Sequence, residues 1–146
     1  MSSNPEIANS IQTGAFKTNY HDVGQGDPLF LIHGSGPGVT AWANWRLVIP
    51  SLAEQYRVIA PDMAGFGYTE RVDGYHYTMD NWVQHAIELM DALGIEKTHL
   101  VGNSFGGALA IALGSVVDRH GVVIKLRLDK WFNSVGEQKE QIALEN

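Results

Sequence analysis

Apolar residues in this chain fall into short, separated runs whose period changes from one to the next. Residues 15–23 (Ala-Phe-Lys-Thr-Asn-Tyr-His-Asp-Val) alternate moderately and predict an edge strand. Gly24-Gln-Gly-Asp-Pro28 is a turn. Leu29-Phe-Leu-Ile32 is continuously apolar, as in a strand buried on both faces of a parallel sheet. Trp45, Val48, Ile49, Leu52 and Ala53 lie near helical spacing and predict a helix from Ala43 to Tyr56. Pro50 opposes its interior, because proline loses a hydrogen bond and clashes with the preceding turn. The helix is therefore expected to start late or kink there. Arg57-Val-Ile-Ala60 is the next buried strand, Pro61-Asp62 ends it, and residues 63–71 form a loop.

The clearest helix follows. Met79, Trp82, Val83, Ala86, Ile87, Met90 and Leu93 make one apolar stripe, with Thr78 as N-cap and Gly94 at the C′ position. Thr98-His-Leu-Val-Gly102 reads as a short strand, and a small-residue helix runs on through Leu113. The order strand, strand, helix, strand, helix, strand, helix predicts an α/β fold: a mostly parallel sheet with helices on both faces. In the tail, Val122–Asp129 alternates apolar and charged residues and predicts a strand beside the one before Ser104. Residues 134–145 predict a short helix. Residues 1–14 are polar and mixed, and are expected to be a loose leader.

Composition narrows the picture. The 146 residues suggest one domain, and 45% hydrophobic with 18% charged residues excludes a disordered or fibrous chain. A net charge of −6 without a basic run argues against nucleic acid as partner. With no cysteine, neither a disulfide framework nor a thiolate metal site can form. No apolar run is long enough to span a bilayer, and Met1–Ile7 lacks the basic start and apolar core of a secretory signal. The expectation is a cytoplasmic protein without a membrane partner.

Candidate chemistry centres on Gly102-Asn-Ser-Phe-Gly106, a G-x-S-x-G between strand and helix. Such a serine sits on a sharp turn that exposes its hydroxyl at the top of a sheet. The plain alternative is a serine N-cap on an ordinary βα loop. A serine nucleophile needs a base and donors for the oxyanion formed on attack. One donor is the N–H of the residue after the serine, Phe105, and another comes from a loop after an earlier strand. The glycine-rich stretch His33-Gly-Ser-Gly-Pro-Gly38 is placed to give it. Without G-x-G-x-x-G or G-x-x-x-x-G-K, a phosphate-binding loop is disfavoured.

Four runs carry a resemblance: Thr18-Asn-Tyr-His-Asp-Val-Gly24, Leu31-Ile-His-Gly-Ser-Gly-Pro-Gly-Val-Thr-Ala-Trp-Ala-Asn-Trp-Arg46, Arg57-Val-Ile-Ala-Pro-Asp-Met-Ala-Gly-Phe-Gly-Tyr68 and His99-Leu-Val-Gly-Asn-Ser-Phe-Gly-Gly107. Through them residues 15–113 resemble the N-terminal half of α/β-hydrolases of the meta-cleavage-product family, of 2-hydroxymuconate-semialdehyde type. These enzymes hydrolyse a carbon–carbon bond in ring-fission products of aromatic degradation. The resemblance implies Ser104 as nucleophile or water-activating serine, and Ser35 and Phe105 as oxyanion N–H donors. It implies Asn44 and Asn103 as residues that orient a dienoate substrate, and Gly34 and Gly36 as points of close approach. The implied substrate is a vinylogous 1,5-diketone, cleaved to 2-hydroxypenta-2,4-dienoate and a carboxylic acid, with no cofactor and no metal. Generic carboxylesterase chemistry is the enzyme alternative, against which Asn44 and Asn103 argue.

The likeness stops near Leu113, and residues 114–146 are a divergent tail. The family adds a lid and further strands bearing an acid and a histidine, in the order Ser, Asp, His. After Ser104 the only histidine is His120, with Asp118 nearby. A helix from Ser104 to about residue 118 would carry them on the order of 20 Å from the nucleophile, so they are not expected to complete a triad. The reading is a truncated hydrolase core, with an inactive remnant or non-catalytic module as the alternative. Uncovered apolar faces and an open sheet edge lead to an expectation of low stability and homo-oligomerisation or aggregation. Of the other histidines, His33 is expected to brace its loop, His99 to pack, and His85 to be solvated. Trp42, Trp45 and Trp82 are expected in the core, and Asp62 as a brace for residues 63–71.

Overall fold

The computed structural model describes residues 3–117, 125–128 and 142–145. Its strands are β1 (Asn9–Thr13), β2 (Phe16–Val23), β3 (Asp27–Ile32), β4 (Tyr56–Pro61), β5 (His99–Gly102), β6 (Lys125–Leu128) and β7 (Ile142–Glu145). The helices are α1 (Ala41–Trp45), α2 (Ile49–Leu52), α3 (Met79–Ala92) and α4 (Phe105–Val117). All seven strands join one sheet in the order β1-β2-β4-β3-β5-β6-β7. The central pairs β4–β3, β3–β5 and β5–β6 are parallel. The outer pairs β1–β2, β2–β4 and β6–β7 are antiparallel.

The apolar run of β3 is buried on both faces, as its composition requires. Leu29 and Leu31 meet Trp45 and Ile49 of α1 and α2 on one face. Phe30 and Ile32 meet Leu89 of α3 and Leu109 and Leu113 of α4 on the other. β4 divides the same way, with Val58 and Ala60 on the first face and Ile59 on the second. From β3 the chain first crosses to β4, then returns over the opposite face through α3 to β5 on the other side of β3. The strand order thus reverses between β3 and β5. A crevice at the carboxyl ends of those two strands is where such sheets bind ligands.

Helix α3 has the boundaries its pattern predicts. The Thr78 hydroxyl accepts from Asn81 N–H at 3.2 Å. At the other end Gly94 has φ +69°. Ile95 N–H bonds to Met90 C=O and Gly94 N–H to Asp91 C=O, the paired bonds of a Schellman stop.

Four expectations need correction. The loose leader of residues 1–14 contains β1, joined to β2 by a tight turn with Gly14 at φ +55°. Residues 15–23 are consequently not the edge, because β1 lies outside them. The helix over 43–56 is two short helices. A continuous one would drive the Pro50 ring into the preceding turn, whereas at the start of α2 its missing N–H costs nothing. The short helix over 134–145 is contradicted at 142–145, which form β7 along β6. The strand expected over 122–129 is present as Lys125–Leu128 beside β5. Asp118 and His120 lie outside the described residues.

Asp62, fully buried at the end of β4, ties three segments together. Its carboxylate accepts from Ala41 N–H at 2.7 Å, Asn19 Nδ2 at 2.9 Å and Tyr68 N–H at 2.9 Å. Asp62→Ala leaves the buried Ala41 N–H unpaired and removes one acceptor each from Asn19 Nδ2, which keeps Glu6 C=O, and from the N–H of exposed Tyr68. It is expected to cost about 1–3 kcal/mol, read as a lower urea midpoint followed by tryptophan fluorescence.

Candidate active site

β5 delivers the chain to Ser104 through a turn that little else in the sequence could form. Ser104 has φ +55° and is the only non-glycine residue with positive φ among the described residues. A side chain on Gly102 would run into the Gly106 carbonyl, and one on Gly106 into the Ile32 and His33 carbonyls. Gly106 therefore lets the start of α4 lie directly against the exit of β3, and Gly102 lets it fold back onto the end of β5. Asn103 N–H completes the junction with a 3.0 Å bond to Ile32 C=O.

The geometry is not that of a serine N-cap. A capping serine has extended backbone and its hydroxyl accepts from an N–H in the first turn. Here Gly106 N–H bonds to Asn103 C=O and Gly107 N–H to Ser104 C=O. The Ser104 hydroxyl has no hydrogen bond among the described residues, and Ser104 is exposed.

The loop after β3 lies beside this turn. Gly34 N–H donates to Asn44 Oδ1 at 2.9 Å, and Asn103 Nδ2 donates to the same oxygen at 3.0 Å. A Cβ on Gly34 would lie 3.3 Å from Asn103 Nδ2, so the loop and the turn are in close approach. Ser35 and Gly36 form the exposed rim of the loop. Neither Ser35 N–H nor Phe105 N–H has a hydrogen-bond partner among the described residues. The Phe105 ring packs edge-on to Trp82 at 4.7 Å and against Phe66 at 5.8 Å. Gly34, Ser35, Asn44, Asn103, Ser104 and Phe105 thus gather at the β3–β5 switch point.

His33 is fully buried and braces the loop as expected. Its Nε2 takes Met63 N–H at 3.0 Å and its Nδ1 meets Gly34 C=O at 2.7 Å. Burial lowers its pKa from the ordinary histidine value, partly offset by the Gly34 carbonyl and by Asp62. The expectation for His85 is overturned. It is 1% exposed, between Thr18 and Ala64, and burial lowers its pKa to about 4. Its position three residues after Trp82, on the flank of the α3 stripe, was the available signal. Trp82 is half-buried and donates Nε1–H to Ala64 C=O at 2.8 Å. Trp45 is in the core, while Trp42 stacks on His21 at 5.4 Å. His99 packs edge-on to Tyr56. Among the described residues no cluster of acids and histidines could hold a metal ion, and no helix is long and apolar enough to cross a membrane.

The family model described as "alpha/beta hydrolase fold" matches residues 27–120. The chain belongs to the alpha/beta hydrolase fold family. A 2-hydroxymuconate semialdehyde hydrolase of Pseudomonas sp. (strain CF600) is 62% identical over 109 residues, covering 75% of this chain and 38% of that protein. A 2-hydroxy-6-oxo-2,4-heptadienoate hydrolase of Pseudomonas putida is 57% identical over 109 residues, with 75% and 40% covered. A solved meta-cleavage product hydrolase from Pseudomonas fluorescens IP01, a mutant complexed with acetates, aligns with TM-score 0.80 and 54% identity over 89% of this chain and 48% of that one. This hydrolase-fold chain spans about 40% of the length of the curated relatives it matches.

Close packing at the glycine pair is testable. Gly106→Ala forces a methyl against the Ile32 and His33 carbonyls and is expected to cost roughly 1–3 kcal/mol or more. The urea midpoint should fall well below that of Ala108→Gly, a neighbouring helix substitution that removes a methyl instead.

Proposed function

We propose that this chain carries the nucleophile turn and oxyanion donors of a hydrolase that cleaves a carbon–carbon bond in meta-ring-fission products, of 2-hydroxymuconate-semialdehyde type. Ser104 is the nucleophile or activates the attacking water. The observation that carries the reading is the positive φ of Ser104 on a strand-to-helix turn, beside two backbone N–H groups without a partner among the described residues. Relatives named as hydrolases of 2-hydroxymuconate semialdehyde and 2-hydroxy-6-oxo-2,4-heptadienoate support the substrate class.

Attack on the substrate's ketone or aldehyde carbon puts negative charge on its oxygen. Ser35 and Phe105 N–H stabilise that charge as the oxyanion hole. The bond to the neighbouring carbon then breaks, and its electron pair passes into the vinylogous ketone as a dienolate. Water supplies hydroxyl to the acid and a proton to the dienoate fragment, so no cofactor or metal enters the balance. Asn44 and Asn103 orient the dienoate end, with Gly34 and Gly36 admitting it closely. Gly34 N–H can only donate, so Asn44 must present Oδ1 to it. The Nδ2 group of Asn44 has no hydrogen-bond partner among the described residues and is the donor for the substrate's oxygens.

The test follows loss of the yellow ring-fission product of catechol on adding the purified chain. Turnover is expected to fall at least about a hundredfold in Ser104→Ala. Equal colour loss in that variant, or none in either chain, would remove the catalytic reading. A fluorophosphonate adduct on Ser104 without colour loss would leave a reactive serine with another substrate.

A further inference from the structure

We propose that His85 is a positioning residue for the oxyanion donor Ser35 N–H, acting on it through the Met63–Ala64 peptides and His33. The proposal rests on the reading above, in which Ser35 N–H binds the oxyanion.

The argument starts at the 34–35 peptide. Its carbonyl, Gly34 C=O, is held by the His33 ring at 2.7 Å. No peptide in the described chain is cis. A trans peptide points its N–H opposite to its C=O, so Ser35 N–H is turned away from the His33 ring. The direction of the donor is thus set by which His33 nitrogen carries the proton. Met63 N–H donates to Nε2 at 3.0 Å. An amide can only donate, so Nε2 must be the bare nitrogen and Nδ1 the protonated one that holds Gly34 C=O.

Met63 is in turn fixed by its neighbour. Helix α3 grips the amide N–H and the carbonyl of Ala64 with residues three apart. Trp82 Nε1–H bonds Ala64 C=O at 2.8 Å, and His85 Nδ1 accepts Ala64 N–H at 3.1 Å. By the same donor logic His85 carries its proton on Nε2 and gives it to Thr18 Oγ1 at 2.8 Å. The Thr18 hydroxyl bonds Thr13 Oγ1 at 2.5 Å, and Thr13 donates to Phe16 C=O at 3.4 Å. An ordered series of hydrogen bonds therefore runs from the β1–β2 hairpin to the oxyanion loop. Its two histidines are buried, neutral and opposite in tautomer.

A second proton on either ring would set an N–H against an amide N–H. Asp62 is the charged group near His33. Around His85 lie Thr18, the Phe16 ring and the Ala64 peptide, and Glu88, one turn along α3, is held by Gln84 Nε2. Burial lowers the pKa of both rings from the ordinary value near 6.5. The series is thus complete above that value and is lost as pH falls, at His85 towards about 4.

The experiment is nitrogen-15 NMR on the full chain, with fluorophosphonate labelling of Ser104 alongside. Wild type should show the Nδ1–H tautomer at His33 and the Nε2–H tautomer at His85. His85→Gln places an amide near Nε2 and removes the acceptor for Ala64 N–H. It should displace the Ser35 amide signal, loosen the His33 tautomer and slow labelling about tenfold or more. His85→Asn sets an amide oxygen near the Nδ1 position and should restore both readouts to within about twofold. Equal effects of the two variants, or an unmoved Ser35 amide in a folded His85→Gln chain, would overturn the proposal. If the variants do not fold, the wild-type chain decides. The Ser35 amide should then move with the midpoint of the His85 ring, and a Ser35 amide that follows only His33 sinks the idea. Absence of labelling in wild type, with the NMR results as expected, would fault the nucleophile reading and leave the positioning role standing.

Discussion

The structure depends on how closely the start of α4 can lie against the end of β3. Without side chains at Gly102 and Gly106, the first turn of α4 rests on the Ile32 and His33 carbonyls. That contact leaves the chain too little length for a relaxed connection from β5. Ser104 absorbs the difference by adopting φ +55°, a conformation that costs a non-glycine residue roughly 1–3 kcal/mol. The same contact brings residues 33–36 and residues 103–105 side by side. Proximity of the loop and the exposed hydroxyl thus comes from one steric fact, with the strain of the turn as its cost.

Holding the loop is a separate problem, because the groups the proposed reaction uses there are main-chain N–H donors that no side chain identity fixes directly. The solution uses buried acceptors with defined direction. Asp62, accepting from three segments, locks the beginning of α1 and the loop after β4 to β2. Asn44 Oδ1 bridges Gly34 and Asn103. His33 and His85 each take one amide N–H of adjacent residues, Met63 and Ala64, from opposite sides. A neutral imidazole offers one acceptor and one donor at a rigid separation, so it passes direction from one backbone group to the next. A carboxylate could accept from the amide but has no proton to give the following carbonyl.

Much of this was legible in sequence wherever one physical cause dominates. The run Leu29–Ile32 announces a strand buried on both faces, and Thr78 with Gly94 brackets α3 because caps act locally. The glycines of residues 102–106 betray a close approach, even though the carbonyls that Gly106 approaches are over seventy positions away in the chain. Legibility fails where a partner distant in sequence decides. Residues 9–13 (Asn-Ser-Ile-Gln-Thr) have one apolar side chain among them and become a strand by pairing with β2. His85 looks like a polar flank of its helix until Thr18 and Ala64 cover it. The break between α1 and α2 was signalled by Pro50, but its outcome depended on how two short turns fit over β3 and β4.

The same distinction bears on the proposed chemistry. The exposed Ser104 hydroxyl, the Ser35 and Phe105 N–H groups that the proposed reaction uses, and the Asn44–Asn103 bridge are all consequences of local backbone geometry at the β3–β5 switch point. They require the parallel centre of the sheet, with α1 and α2 on one face and α3 and α4 on the other, and little beyond it. Proton transfer is different in kind. A base must reach within about 3 Å of the Ser104 hydroxyl, and His33 and His85 cannot serve, since each already gives its two nitrogens to structural partners. Recruiting His33 as the base would free the Gly34 carbonyl and turn the Ser35 donor loose. In the proposed reaction, holding the oxyanion donor and abstracting the proton therefore fall to different groups, because the two imidazoles that fix the loop are excluded from the second.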